Sequence, residues 1–205
     1  MRLVYLGWPR CGSTWLHENI KRNIGLADLG GIKESHMFLH QPDLALSSFS
    51  DNMMDFSTNN WSMDSWVARE MIKNIDICIM IHRVATDLIK SYHWGQSWDD
   101  WQTACKSNKL IDYGDTLERW IDIAGDKLQL YEFAELQKDP HDFGRKILSD
   151  IGCQNPTIDA SIVNTKGDKK HLEITDPYLL EKIDAQEAKY QQIAKSLKSL
   201  TFLSH

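Results

Sequence analysis

Apolar positions along this chain fall into two patterns. Short, nearly continuous runs occur at 2–6 (Arg-Leu-Val-Tyr-Leu) and 76–82 (Asp-Ile-Cys-Ile-Met-Ile-His), with a third, Lys-Leu-Gln-Leu-Tyr, at 127–131. These runs predict strands, the first two covered on both faces. A fourth short strand is predicted near 28–33. Elsewhere apolar residues recur at helical spacing, as in Leu16, Ile20 and Ile24. That period predicts helices over 13–24, 61–73, 84–94, 98–108, 114–124, 141–151 and 177–198. Gly25, Gly95, Gly125 and Gly152 follow four of them, where a left-handed C-cap favours glycine, and Pro140 opens another.

Strands alternating with helices predict an α/β protein: one domain, 1–205, with a central parallel sheet in a three-layer α/β/α arrangement. Such sheets bind ligands at the carboxyl ends of their strands. Polar clusters follow three of the predicted strands there, at 7–14, 82–91 and 131–135.

Charge narrows the partners. With 23 Lys and Arg against 29 Asp and Glu the net charge is −6. An acidic chain lacks the basic face that nucleic acids reward, so no nucleic-acid partner is expected, and phosphate binding must come from a few local cations. Cys11, Cys78, Cys105 and Cys153 are widely spaced without a C-x-x-C pair, which favours reduced thiols over a disulfide framework or zinc site. No apolar stretch of about 18 residues predicts a membrane span. The first strand begins almost at once, leaving no room for a signal peptide, so the expected compartment is the cytoplasm.

The segment Gly7-Trp8-Pro9-Arg10-Cys11-Gly12-Ser13-Thr14-Trp15-Leu16 joins the first strand to the first helix. A strand, a Gly-bounded loop and a helix N-terminus form an anion cradle. Gly7 and Gly12 have the spacing of the outer glycines of a G-x-x-x-x-G-K-[ST] triphosphate loop, but Ser13 stands where that loop has lysine. The cation is instead Arg10. The run 76–82 ends in His82-Arg83, a basic pair where a triphosphatase needs a magnesium carboxylate. Both departures predict an anion bound without a metal.

These residues resemble the 5′-phosphosulfate loop of sulfotransferases, G-x-P-[KR]-[ST]-G-[ST]-[ST]-x-L. Such enzymes use 3′-phosphoadenosine 5′-phosphosulfate (PAPS) and release 3′,5′-diphosphoadenosine. Further segments resemble the same family in order along the chain. Arg83 and Ser91, eight residues apart after a strand, resemble its 3′-phosphate segment. Lys33-Glu34-Ser35-His36-Met37-Phe38 resembles the K-E-x-H-F-F segment of carbohydrate sulfotransferases, in which the glutamate is the base. Tyr113 and Trp120, then Glu132 and Asp139-Pro140, resemble the middle region. Lys166-Gly167-Asp168-Lys169-Lys170-His171 resembles the late loop that closes over the cofactor.

The resemblance implies a sulfotransferase fold and a PAPS-dependent transfer to a hydroxyl, or an amine, of a small-molecule, lipid or saccharide acceptor. It implies cofactor contacts from Arg10, Cys11, Gly12, Ser13, Thr14, Trp15, Arg83, Ser91, Lys166, Gly167, Lys169 and Lys170, with no metal. Sulfuryl transfer needs positioning, stabilised charge on the leaving oxygen and a base for the acceptor's proton. Glu34 is assigned as that base and His36 as its rival, because a histidine titrates near neutral pH. Lys33 is assigned to orient the sulfuryl group. Arg10 clamps the phosphate bidentately but, unlike the lysine many members carry there, donates no proton. His36 and His40 are spaced i, i+4, a spacing that also occurs in metal sites, but no further ligand completes a set. Trp61, Trp66, Trp94, Trp98 and Trp101 predict either core packing or a pocket wall. Two other functions remain: a small P-loop kinase, and a non-catalytic nucleotide-binding protein on the same scaffold.

Overall fold

The computed structural model describes residues 1–91, 93, 97–107, 111–161 and 172–201. They fall into two compact units, one from residues 1–82 and 123–161, the other from the described residues of 83–122 and 172–201.

The first unit holds the sheet. Among the described residues it has five strands: β1 (Arg2–Tyr5), β2 (Ala27–Asp28), β3 (Met53–Asp55), β4 (Ile77–His82) and β5 (Leu128–Glu132). They lie in the order β2-β3-β1-β4-β5, and every neighbouring pair is parallel. β1 is central, and Leu3, Val4, Tyr5 and Leu6 are all fully buried, as a strand covered on both faces requires. β1 runs through helix α1 (Ser13–Ile24) toward β2, which lies to one side, whereas β3 runs through α4 (Ser65–Asn74) to β4 on the other. Right-handed crossovers in opposite directions put α1 and α4 on opposite faces. α1 packs beside α9 (Pro140–Asp150), and α4 beside α3 (Pro42–Ser48). The α/β architecture, with a parallel sheet between helices, follows the expectation. The sheet's switch point falls between β1 and β4, the position at which open parallel sheets of this kind bind ligands.

Several predicted elements shift. The strand expected near 28–33 is only Ala27–Asp28, because Leu29–Gly31 turns as a 3₁₀ segment with Gly30 at φ 68°. The helix expected over 61–73 starts at Ser65, after a separate turn at Asn60–Ser62. β3 was not expected: Met53–Asp55 is too short for a periodic signal, and it exists because it pairs with both β1 and β2. The short helices α2 (Met37–His40) and α8 (Phe133–Lys138) and the helix α3 were also unforeseen. Pro140 does open α9, and the Asp139 carboxylate caps it by accepting from the Asp142 N–H.

The second unit is helical where described: α5 (Ala85–Ser91), α6 (Trp98–Ser107), most of α7 (Tyr113–Ala124) and α10 (Pro177–Thr201). α10 buries Leu179, Ile183, Tyr190 and Ala194 and packs on α5 and α6. The Trp101 indole donates to Ile89 O at 2.8 Å, and Lys189 of α10 pairs with Asp115 and Glu118 of α7. Residues 92, 94 and 108, which end two predicted helices, and Gly95 lie outside the described residues.

Candidate active site

The loop after β1 is shaped by what lies under it. The Tyr5 ring stacks on Phe56 with centroids 5.2 Å apart, and its hydroxyl donates to Trp8 O at 3.4 Å. A Cβ on Gly7 would stand 2.2 Å from that hydroxyl, so only glycine fits there. Burial raises the Tyr5 pKa well above the phenol value, and the charges of Cys11 and Glu34 raise it further, so the hydroxyl stays a donor. Trp8 is fully buried and stacks on Trp61 at 5.4 Å, a contact contributing about 1 kcal/mol beyond burial.

Arg10 at φ 64° and Gly12 at φ 80° lie in the left-handed region on either side of Cys11. Such alternation lets successive N–H groups converge on an anion. At Gly12 a Cβ would also sit 2.6 Å from Leu136 of α8. Gly12 caps α1 without a side-chain hydrogen bond, so the cap itself supplies no acceptor to the first-turn N–H groups. Cys11 is buried, Ser13 nearly so, and Thr14 is exposed. The Trp15 side chain faces inward, packing on Phe143 and donating to Asp159 O at 2.8 Å, which leaves its backbone N–H as the group able to meet a ligand.

Lys33 and Glu34 reach this loop from the segment after β2. Lys33 Nζ donates to Ser13 Oγ at 3.4 Å and to Glu34 Oε1 at 2.5 Å. His36 Nε2 lies 3.8 Å from Glu34 Oε2, so both base candidates stand together. The His36 and His40 rings meet edge-on at 6.3 Å, and among the described residues no group of three or more His, Cys, Asp or Glu is placed to hold a metal.

In the second unit, Arg83 Nη1 donates to Ser91 Oγ at 3.2 Å. Arg83 precedes α5 and Ser91 ends it, so the side chain lies back along the helix to meet the hydroxyl. Lys166, Gly167, Lys169, Lys170 and Trp94 lie outside the described residues. Of the other tryptophans, Trp61 and Trp101 are core residues and Trp66 is half exposed.

Two sets of long-range partners had no sequence signal. His82 ends β4 opposite Glu132 of β5 and donates from Nδ1 to its Oε2 at 2.8 Å. The expected basic pair at 82–83 is therefore a histidine bonded to a carboxylate, followed by an arginine. Asp55, at the end of β3, is 1% exposed and accepts from Ser57 N–H at 3.1 Å, Ser57 Oγ at 2.6 Å and Asn60 Nδ2 at 3.0 Å. Burial raises its pKa, and these bonds only partly offset the rise.

No family model and no curated protein matches the chain. Solved structures do. A sulfotransferase from Alicyclobacillus acidocaldarius superposes with a TM-score of 0.67 at 14% identity, over 93% of this chain and 94% of that one. The fold is that of a sulfotransferase. Mouse sulfotransferase SULT7A1, complexed with PAP, matches at a TM-score of 0.51 and 13% identity, over 90% of this chain and 63% of the mouse chain. In the sulfotransferase fold of this chain, the glycine-bounded loop and the Lys33–Glu34 segment converge at the carboxyl end of β1. Among the described residues no helix is long and apolar enough to cross a membrane.

Proposed function

We propose that the protein transfers a sulfuryl group from PAPS to a hydroxyl or amine of a small-molecule, lipid or saccharide acceptor. The observation that carries the reading is the Lys33 bridge, which links a carboxylate to the hydroxyl that opens α1. A mouse protein of this fold is complexed with PAP, which supports a cofactor of the same class.

In this reading the loop amides, Ser13 and Thr14 hold the 5′-phosphosulfate, and Arg10 forks its oxygens. Arg83 and Ser91 take the 3′-phosphate. Glu34 accepts the acceptor's proton as the acceptor oxygen bonds to sulfur and the bond from sulfur to the 5′-phosphate oxygen breaks. The Lys33 ammonium stabilises the charge that develops on the transferred and departing oxygens. No step calls for a metal.

Thermal unfolding with 3′,5′-diphosphoadenosine, compared with ATP-magnesium, tests the reading. At about 100 times its dissociation constant the diphosphate should add about 2.7 kcal/mol of stability, and Arg83→Ala should remove most of that gain. No shift with the diphosphate overturns the cofactor assignment. A larger shift with ATP-magnesium moves the protein to the kinases. Diphosphate binding without PAPS turnover makes it a nucleotide-binding protein.

A further inference from the structure

The segment after β3 carries none of the residues assigned above, yet it touches both parts of the first unit's site. From Asp55 Oδ1, hydrogen bonds run through Ser57 Oγ to the His36 backbone N–H, which donates to that hydroxyl at 2.8 Å. His36 follows Glu34 by two residues and sits at φ 51°, a left-handed conformation uncommon outside glycine. Such a conformation persists where the surroundings hold it, and the Ser57 acceptor is one of those constraints.

From Asp55 Oδ2 a second branch runs the other way. The Asn60 amide donates to Oδ2 at 3.0 Å and to Tyr5 O at 3.3 Å. Tyr5 ends β1, and its hydroxyl bonds Trp8 inside the loop. Trp61, next to Asn60, stacks on Trp8. One fully buried carboxylate is thus bonded toward the base-bearing segment on one side and toward the entry of the anion loop on the other.

A buried carboxylate is costly unless well paired, and a hydrophobic residue would serve packing alone at least as well. Here its hydrogen bonds go to groups that set the path of two reacting segments. We propose that Asp55 is a positioning residue: through Ser57 it sets the segment that carries Glu34, and through Asn60 it sets the strand end that enters the phosphate loop. The proposal rests on the sulfuryl-transfer reading of the site.

The two branches separate experimentally. Ser57→Ala removes the acceptor of the His36 N–H and leaves Asn60 in place. Asp55→Asn keeps an oxygen for Ser57 but faces Asn60 with an amide, which breaks the hold on Tyr5. The probe is PAPS turnover, read as released 3′,5′-diphosphoadenosine with p-nitrophenol or water as acceptor, alongside calorimetric binding of the diphosphate and Tm. Ser57→Ala should lower kcat by about 10- to 100-fold and leave diphosphate affinity near wild type. Asp55→Asn should weaken the diphosphate by about tenfold, with the smaller effect on kcat. Wild-type kcat in Ser57→Ala, or losses in both variants that follow Tm with no split between turnover and binding, overturns the positioning role. A wild-type protein that releases no diphosphate from PAPS overturns the transfer reading and this proposal with it.

Discussion

The Lys33 ammonium stands 3.4 Å from Ser13 Oγ, tying the segment after β2 to the first residue of α1 across 20 positions of sequence. The same ammonium holds Glu34. Its removal frees the carboxylate and takes a cation from beside the loop. Lys33→Ala should lower kcat for PAPS turnover by about 100-fold or more, with a smaller change in diphosphate affinity. Steady-state kinetics with parallel calorimetry checks the split.

Glu34→Gln keeps the shape of the side chain and an oxygen for Lys33, but it cannot take a proton. Transfer should fall by about 100- to 10,000-fold while the diphosphate binds as in wild type. Wild-type turnover in this variant would assign the base to His36, whose Nε2 is 3.8 Å from Glu34 Oε2.

Gly7 leaves room for the Tyr5 hydroxyl, which a Cβ would meet at 2.2 Å. Gly7→Ala must displace the buried Tyr5 ring or the loop, at about 1–3 kcal/mol for overpacking. Tm should fall and the diphosphate-induced stabilisation should shrink, whereas Gly25→Ala, with open space around its Cβ but a φ of 74°, should lower Tm alone.

Asp28, which ends β2, is buried against α1, with Lys21 Nζ at 2.8 Å and His17 Nε2 at 2.6 Å. Burial raises its pKa, but the hydrogen bonds and charges of Lys21 and His17 outweigh it, so the net direction is down. A lowered folded pKa contributes stability that is present above the unfolded value of about 3.9 and is lost as pH falls through the folded one. Asp28→Asn should be about 1–3 kcal/mol less stable near neutral pH, and the gap should close below about pH 4. Urea unfolding across that range reads it.

Burial pushes the thiols of Cys78 and Cys105 up to about 12, and Cys11 is fully buried, whereas Cys153 is half-buried. Iodoacetamide at about pH 8 should label Cys153 first in the folded protein and all four cysteines in urea. Mass spectrometry of timed digests distinguishes the two patterns.

Some of the local geometry was legible because it depends on neighbours in sequence. The loop from Gly7 to Leu16 is a strand end, a turn and a helix start in ten consecutive residues. Arg83 and Ser91 are joined by one short helix, and the hydrogen bond between them follows once the arginine lies along it. His82 and Asp55 were not legible. A histidine beside an arginine reads as a basic pair until β5 brings Glu132 opposite it. Asp55 belongs to no pattern in the sequence, and it gains its place only when β3 is inserted between β1 and β2.

The sequence by itself determined the alternation of strands and helices, the burial of the Leu3–Leu6 run on both faces and the residue types of the glycine-bounded loop. These depend on periodicity and turn chemistry, which act over a few residues. Only the tertiary structure decided that Lys33 meets Ser13, that Asp55 is bonded toward both Tyr5 and His36, and that His82 carries Glu132. Those pairings depend on strand order and register, which are set by how the whole sheet buries its two faces. A polar side chain carries no local mark of the partner that such packing will bring to it.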